Sequence, residues 1–388
     1  MPSDRTTHRP RPITKPRRAM PSKWINEARR FAGAVAYYRM EPVSAFGRYL
    51  HLYRRRLFSP SEIHFLNLLD PGLGDPDFQA VVSKEELLNV QLQLNDRRAF
   101  ALTEDKLVFA AHCQAAKLAV PVLHAVYDAD GAANGDGAGS APLLRDEAGL
   151  ASFMRTTAAS DIIVKPINGV HGKGVTHMVR RGDGWHAPTR GVVEAGSLLR
   201  LFSETGYRRW MFQQRIIGHP ELSALSGTDA LQTIRVVTLS NTDGSIEILA
   251  GRLRLIANDG AHDNFDFGQT GNLVANLDLD RGTIQNVIGC DSRRLSMRTM
   301  ERHPRTGREL IGFTVPQWED VRKLAIAAAR AFQPLRTVGW DIAPTADGPC
   351  LIEGNVTWDT LIGEPRMGEI YRRLLKERLP NPSSDSQI

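Results

Sequence analysis

The sequence predicts an α+β protein with a helical N-terminal module, and three observations carry that prediction. Apolar residues recur at helical spacing through residues 23–91. Beyond residue 120, strand-like runs follow one another at hairpin spacing. Few helical patterns separate those runs, which disfavours a parallel, doubly wound sheet.

In the helical region, Trp24, Ala28, Phe31 and Val35 share one face, and after Pro42 a second apolar face holds Phe46, Tyr49, Tyr53 and Leu57. Arg54, Arg55 and Arg56 follow on the polar side and read as a solvated helix end rather than a docking patch. Ser59-Pro60-Ser61-Glu62 and Ser83-Lys84-Glu85-Glu86 have the Ser-x-x-Glu form in which side chain and backbone cap one another, so each opens a helix. A further helix starts at Thr103–Lys106 and ends before Pro121, and VPVLHAVYD then reads as a strand. Residues 128–142 are small and flexible, an exposed loop. Strands are expected at 161–165, 174–179, 210–217, 231–239, 246–256, 273–279, 337–343 and 349–355. Helices are expected at 196–205 and 316–333, the second with Pro316 in its first turn and Trp318, Val321, Ala325, Ala328 and Phe332 as its buried stripe.

Composition bounds the function. With 388 residues, 42% hydrophobic and 24% charged, the chain is an ordinary globular protein with room for two or three packed units. No run approaches the roughly 18 apolar residues of a membrane span, and the N-terminus lacks the apolar core of a secretory signal. Cys113, Cys290 and Cys350 are too few and too far apart for a disulfide framework or a zinc site, which points to a reducing cytoplasm. Residues 1–20 carry six Lys or Arg against one Asp, +5 of the net +6, leaving +1 on all the rest. Basic charge confined to a tail of residues 1–22 reads as a disordered arm. It argues against nucleic acid and allows weak contact with a membrane surface.

Two stretches carry chemistry. DIIVKPINGVHGKGVTHMV, residues 161–179, is not the phosphate loop G-x-x-x-x-G-K-[ST], because Ile167 stands where its first glycine would be and Gly174 follows Lys173. It reads as strand, glycine loop, strand. Glycines let successive N–H groups face one anion, with Lys165 beside them, though a plain glycine-rich turn has the same pattern. The second stretch, VGWDIAPTADGPCLIEGNVTWD, is a hairpin. Folded about Asp347, it sets Asp341 opposite Glu353 and Gly339 opposite Asn355 on one face, the glycine leaving space above the sheet. Two carboxylates and an amide oxygen suit Mg²⁺ whose octahedron is completed by substrate phosphates. An acidic hairpin facing water is the alternative, and the apolar strands around it weigh against that.

Lys165 ahead of a glycine loop, then FQQRIIGHPEL, then TIRVVTL, then Asp341 and Glu353-Gly354-Asn355 resemble in their order the ATP-grasp superfamily. Within it, the chain resembles the sugar-transfer-associated branch, similar to α-L-glutamate ligase-type proteins, over roughly residues 60–370. The resemblance implies the ATP-grasp fold, two α+β lobes clasping ATP. The helical module would take residues 23–100, the N-lobe with its lid 101–217, the C-lobe with the Mg²⁺ site 218–375, and a flexible tail 376–388. It further implies that Lys106 and Lys165 contact ATP phosphates, that Gly169, Gly172 and Gly174 form the lid, and that Gln214 and Ile216 edge the adenine. Glu221 would accept the ribose hydroxyls, and Arg235 and Arg254 would face the transferred phosphate and the substrate carboxylate. Asp341, Glu353 and Asn355 would hold Mg²⁺, and Asn264 would contact metal or substrate. Two departures stand out: the family often has glutamate at Gln214, and adjacent glycines where Gly268-Gln269-Thr270-Gly271 stands.

The implied reaction is ATP- and Mg²⁺-dependent joining of a carboxylate to an amine through an acyl phosphate, in sugar-transfer or cell-surface polysaccharide metabolism. A kinase acting on a hydroxyl and a non-catalytic ATP-binding partner in polysaccharide assembly are the alternatives. Read from the residues alone, Lys106 could be an exposed helix lysine, Glu221 surface charge, and Arg235 one half of a structural salt bridge. His171 reads as a polar loop residue, and Trp340 and Trp358, which flank the acidic pair, as packing, with a sugar ring stacked there as the alternative.

Overall fold

Prolines and capping side chains set the boundaries of the N-terminal helices. In the computed structural model, which describes residues 21–130, 141–169, 174–188, 190–260 and 262–378, α1 (Pro21–Tyr37) comes first, and α2 (Pro42–Arg55) and α3 (Pro60–Phe65) each begin on a proline. In a first turn the missing N–H has no intrahelical partner to lose. After α4 (Asp75–Ala80) comes α5 (Lys84–Leu94), and α3 and α5 carry the complete capping boxes expected at Ser59/Glu62 and Ser83/Glu86. The helix expected to open at Thr103 is two helices, α6 (Ala101–Glu104) and α7 (Lys106–Ala115). They are broken at Asp105, whose carboxylate accepts the Leu107 and Val108 N–H groups.

The apolar face expected on α2 does not turn inward as a whole. Ala45 and Leu52 are buried, but Phe46, Tyr53 and Leu57 are 56%, 46% and 36% exposed.

The first sheet takes β1 (Leu123–Asp128), β2 (Leu143–Leu144), β3 (Asp161–Pro166), β4 (Thr176–Arg181), β5 (Gly184–Ala187), β6 (Gly191–Val193) and β7 (Arg209–Gln214), in the order β2-β1-β7-β3-β4-β5-β6. Only β1 and β2 pair in parallel. Helices α8 (Glu147–Thr156) and α9 (Ala195–Thr205) bury their apolar residues on it, and Phe202 stacks on Trp210 at 4.2 Å.

Beyond α10 (Pro220–Ser226) the second sheet takes β8 (Ile234–Ser240), β9 (Ile246–Leu255), β10 (Leu273–Leu277), β11 (Ile284–Asp291), β12 (Ser296–Thr299), β13 (Thr337–Ala343) and β14 (Cys350–Asn355). Its order is β12-β11-β10-β9-β8-β13-β14, antiparallel throughout. On one face lies α11 (Trp318–Ala331), burying the expected stripe beside Ile234, Val236, Leu253 and Ile342. It starts after Pro316 rather than on it, because Gln317 is in the left-handed region at φ 57°. The other face meets the N-terminal helices and α12 (Met367–Glu377): Leu87, Val90, Leu94 and Ile370 pack with Val237 and Leu239, and Phe58, Ile63 and Phe65 pack with Val274 and Ile288. Alternate residues of β8 thus serve two cores. Strands β2, β5, β6, β11 and β12 and helices α8, α10 and α12 lie outside the elements expected from the sequence.

Candidate active site

The face of the second sheet that meets the N-terminal helices also carries a polar row. Near its turn, the β13–β14 hairpin pairs Ala343 with Cys350. A bulge between Asp341 and Ile342 then shifts the register, so that Asp341 lies opposite Glu353 and Gly339 opposite Asn355. The row continues across the sheet, with Asp341 beside Arg235, Arg235 beside Arg252, Arg252 beside Asn276, and Asn276 beside Asn286. Six polar residues from six adjacent strands thus line up on one face.

Asp341 is 2% exposed, and two arginines meet it. Arg235 donates from Nε at 2.5 Å and Nη2 at 2.8 Å, and Arg254 Nη2 reaches both carboxylate oxygens at 2.8–2.9 Å. Burial pushes the Asp341 carboxyl up, but the two guanidinium groups outweigh it and hold the pKa at about 2. Burial likewise opposes charge on Arg254, and Asp341, Asp263 and Glu353 together raise it above the ordinary arginine value. Further along, burial lowers Arg252 to about 9, opposed by Glu364. Arg252 donates to Asn276 Oδ1 (3.0 Å) and the Ile362 carbonyl (2.6 Å), and Asn286 donates to the Gly363 carbonyl (3.1 Å). That end of the row is closed by a loop. The other end is more open: Glu353 and Asn355 keep part of their surface exposed, and Asn355 Nδ2 donates to Glu353 Oε1 at 3.3 Å.

The space expected above Gly339 is filled. A Cβ there would lie 2.8 Å from Arg235 Cδ and 2.8 Å from Trp358 Cβ, so the glycine makes room for an arginine stem and an indole. The open three-ligand patch is therefore narrower than the hairpin alone implies, since Asp341 is already occupied. Trp340 and Trp358 are packing residues, 0% and 2% exposed.

On the first sheet's side, two lysines feel the charge of Glu353. Lys106, the first residue of α7, donates from Nζ to the carbonyls of Ile167 (3.1 Å) and Gly169 (2.7 Å), tying the helix to the base of the glycine loop. Burial lowers its pKa while Glu353 opposes the change. Lys165, at the end of β3, is lowered by burial to about 8, with Glu353 opposing and Lys106 assisting. β3 and β4 pair antiparallel, the hairpin expected around the loop. Gly174 sits at φ +82°, where a Cβ would come within 3.0 Å of the Trp210 ring. Gly172, with the loop tip 170–173, lies outside the described residues.

The remaining candidates are dispersed. Gln214 ends β7, exposed, its backbone and side chain both bonded to the backbone of Val122, and Ile216 follows half-buried. Glu221 is exposed on the first turn of α10. Asn264 offers its carbonyl to Thr270 and Asn272, and its neighbour Asp263 is the residue that reaches the site. Asp263 accepts from Thr233 N–H (2.9 Å) and Arg254 Nη1 (3.4 Å). Asp263, Asn276 and Asn286 were not singled out by sequence. The available signal was the alternation that puts Asn276 and Val274 on one face of β10.

Among the described residues no three His, Cys, Asp or Glu side chains converge as a self-sufficient metal cage. The donor set suits Mg²⁺ nonetheless: a part-exposed Glu353 carboxylate and an Asn355 Oδ1 free of hydrogen bonds among the described residues are hard oxygens. Mg²⁺ takes one or two such ligands and fills its octahedron with water and phosphate.

Residues 88–375 match the family model of sugar-transfer associated ATP-grasp proteins, and the chain belongs to that family. Solved structures similar to it include the VanG D-Ala:D-Ser ligase of Enterococcus faecalis (10% identity, 74% of this chain and 64% of that one, TM-score 0.42). They also include the ATP-grasp ligase PsnB complexed with a precursor variant, Mg and ADP (16%, 74% and 61%, 0.34) and a biotin carboxylase from Campylobacter jejuni (14%, 76% and 50%, 0.40). The chain thus spans less than two thirds of each of these proteins. No curated protein matches it in sequence.

Proposed function

We propose that the protein is an ATP- and Mg²⁺-dependent carboxylate–amine ligase that forms ADP and works through an acyl phosphate on small-molecule, sugar-linked substrates. The observation that carries this reading is the pairing of Arg235 and Arg254 on Asp341, directly across the hairpin from Glu353, whose charge is felt in turn by the buried Lys106 and Lys165. Phosphoryl transfer asks mainly for positioning and neutralised charge, and needs no side-chain nucleophile.

In this reading Lys106 and Lys165 hold the ATP phosphates beneath the loop of Gly169, Gly172 and Gly174. Backbone groups around Gln214 and Ile216 edge the adenine, and Glu221 takes the ribose. Glu353 and Asn355 hold Mg²⁺, with Asp341 joining when its arginines turn away. Mg²⁺ held by these residues would supply positive charge against the phosphates. Arg235 and Arg254 rest on Asp341 and exchange it for the transferred phosphate and the substrate carboxylate, so no buried cation is left unpaired at either stage. Asn264 lies on the acceptor side. A substrate carboxylate oxygen bonds to the γ-phosphorus as the bond to ADP breaks. The amine nitrogen then bonds to the acyl carbon, releasing phosphate and a proton.

Mg²⁺-dependent ADP release with pooled amino acids and sugar acids, with hydroxylamine as trapping amine, tests this. The wild type should give ADP and hydroxamate, and Glu353→Ala should lose at least about a hundredfold in rate. ADP without hydroxamate would replace the ligase with a kinase acting on a hydroxyl. Tight ATP binding without turnover on any acceptor would leave a binding protein.

A further inference from the structure

Helix α2 is apolar on two sides, and among the described residues only one of them is covered. Ala45 and Leu52 face inward, with Tyr49 edge-on to Phe31 of α1 at 5.6 Å. On the outside, Val43, Phe46 and Tyr53 fall at helical spacing and are 77%, 56% and 46% exposed, Phe46 meeting Phe31 only edge-on at 6.3 Å, and Leu57, just past the helix, is 36% exposed. A soluble surface helix normally carries polar residues there.

The segment that carries this stripe has a strongly positive net charge. Residues 21–57 hold eight Lys or Arg against Glu27 and Glu41, a net +6. With the +5 of residues 1–20 the first 57 residues carry +11, so the other 331 carry 6 − 11 = −5. Arg48 and Arg56 are spent on backbone carbonyls of residues 70–81. Arg54 and Arg55, exposed at the end of α2, have no ion-pair partner among the described residues. Residues 1–20 are a poor cover for the stripe, being of the same charge and having Ile13, Ala19, Met1 and Met20 as their apolar residues apart from proline.

The geometry points to an anionic bilayer surface as the occupant. The α1–α2 hairpin lies on the membrane with Val43, Phe46, Tyr53 and Leu57 at the headgroup boundary and Arg54 and Arg55 on lipid phosphates. Phe and Tyr suit that depth, where an apolar body meets a wet edge. Among the described residues no helix is long and apolar enough to cross the bilayer, so the contact lies along its surface. An acidic protein would satisfy the arginines but not the flat row of four apolar side chains. Nothing here depends on the ligase reading.

Co-sedimentation of the full chain with vesicles of phosphatidylcholine, alone or mixed with phosphatidylglycerol, at low and high salt, tests it. The wild type should bind the mixed vesicles and let go as salt rises. Phe46→Asp with Tyr53→Asp should abolish binding, and Arg54→Glu with Arg55→Glu should weaken it roughly tenfold or more. Circular dichroism should be unchanged and melting should shift little, because Arg54 and Arg55 are exposed and Phe46 and Tyr53 lose only ring contacts at the surface of α1 and α2. Aspartate variants that bind like the wild type, equal binding to neutral vesicles, or no binding at all would each overturn the proposal. So would a dimer in sedimentation that the aspartates dissociate, since the stripe would then join two copies.

Discussion

Asp341 is a buried carboxylate that accepts from two arginines at once, and that fixes what its loss would do. Asp341→Asn keeps the shape but leaves Arg235 without its counter-charge and Arg254 with Asp263 alone, at a cost of about 3 kcal/mol, readable as a drop in the urea midpoint. The pH sign follows from a folded pKa of about 2, below the roughly 3.9 of an unfolded aspartate. The stabilisation is complete above the unfolded value and is lost as pH falls from there through about 2. Lys165 works the other way. Its folded pKa of about 8 lies below the roughly 10.4 of a free lysine. As pH climbs through 8 the site loses a cation and affinity for an ATP analogue should fall, while folding stability rises because the unfolded chain keeps the proton longer. Calorimetric titrations across that range should show a slope that Lys165→Met flattens. A wild-type affinity that holds constant to pH 9 would remove Lys165 from the phosphate site.

At the scale of elements, one side chain joins the N-terminal helices to the second sheet. Asn95, just past α5 and 3% exposed, donates from Nδ2 to the carbonyls of Thr337 (2.8 Å) and Val356 (3.2 Å). Its Oδ1 accepts the N–H groups of Arg336 (2.8 Å) and Thr337 (2.9 Å). Asn95→Ala strands four backbone groups and should cost about 3 kcal/mol, against about 1 kcal/mol for Ser59→Ala at an exposed cap, both measured by chemical denaturation. The cap was legible in the sequence because Ser and Glu three apart act within one turn. The Asn95 clamp was not, because its partners lie some 240 residues away in the chain. The polar row divides the same way. The Asp341–Glu353 pairing follows from a hairpin folded about Asp347. The β8–β9 hairpin turns at Asn241–Ser245, and a symmetrical fold about Asp243 would set Arg235 opposite Gly251. The bulge between Val237 and Thr238 moves it opposite Arg252. No local pattern announces that extra residue, so the row beyond Arg235 became visible only with the fold.

For the molecule as a whole, the family match begins at residue 88, yet the second sheet is not covered from there on. Leu52, Phe58, Ile63 and Phe65 pack with Val274 and Ile288 on the face that carries the polar row, and Val82 and Leu87 pack with Val237 and Leu239. The sequence showed the helices but not what they cover, because amphipathic spacing marks a buried side without naming its partner. At about 1.5–3 kcal/mol for each large apolar side chain, losing the first four alone removes roughly 6–12 kcal/mol, comparable with the whole stability of a domain. A chain starting at residue 88 should therefore bind a hydrophobic dye, lose its near-ultraviolet dichroism and melt without a cooperative transition, whereas a chain lacking only residues 1–20 should melt as the full protein does. Cooperative melting of the shorter chain would mean that the helices are a separable unit. Their packing on the face that carries the polar row would then be incidental to the site.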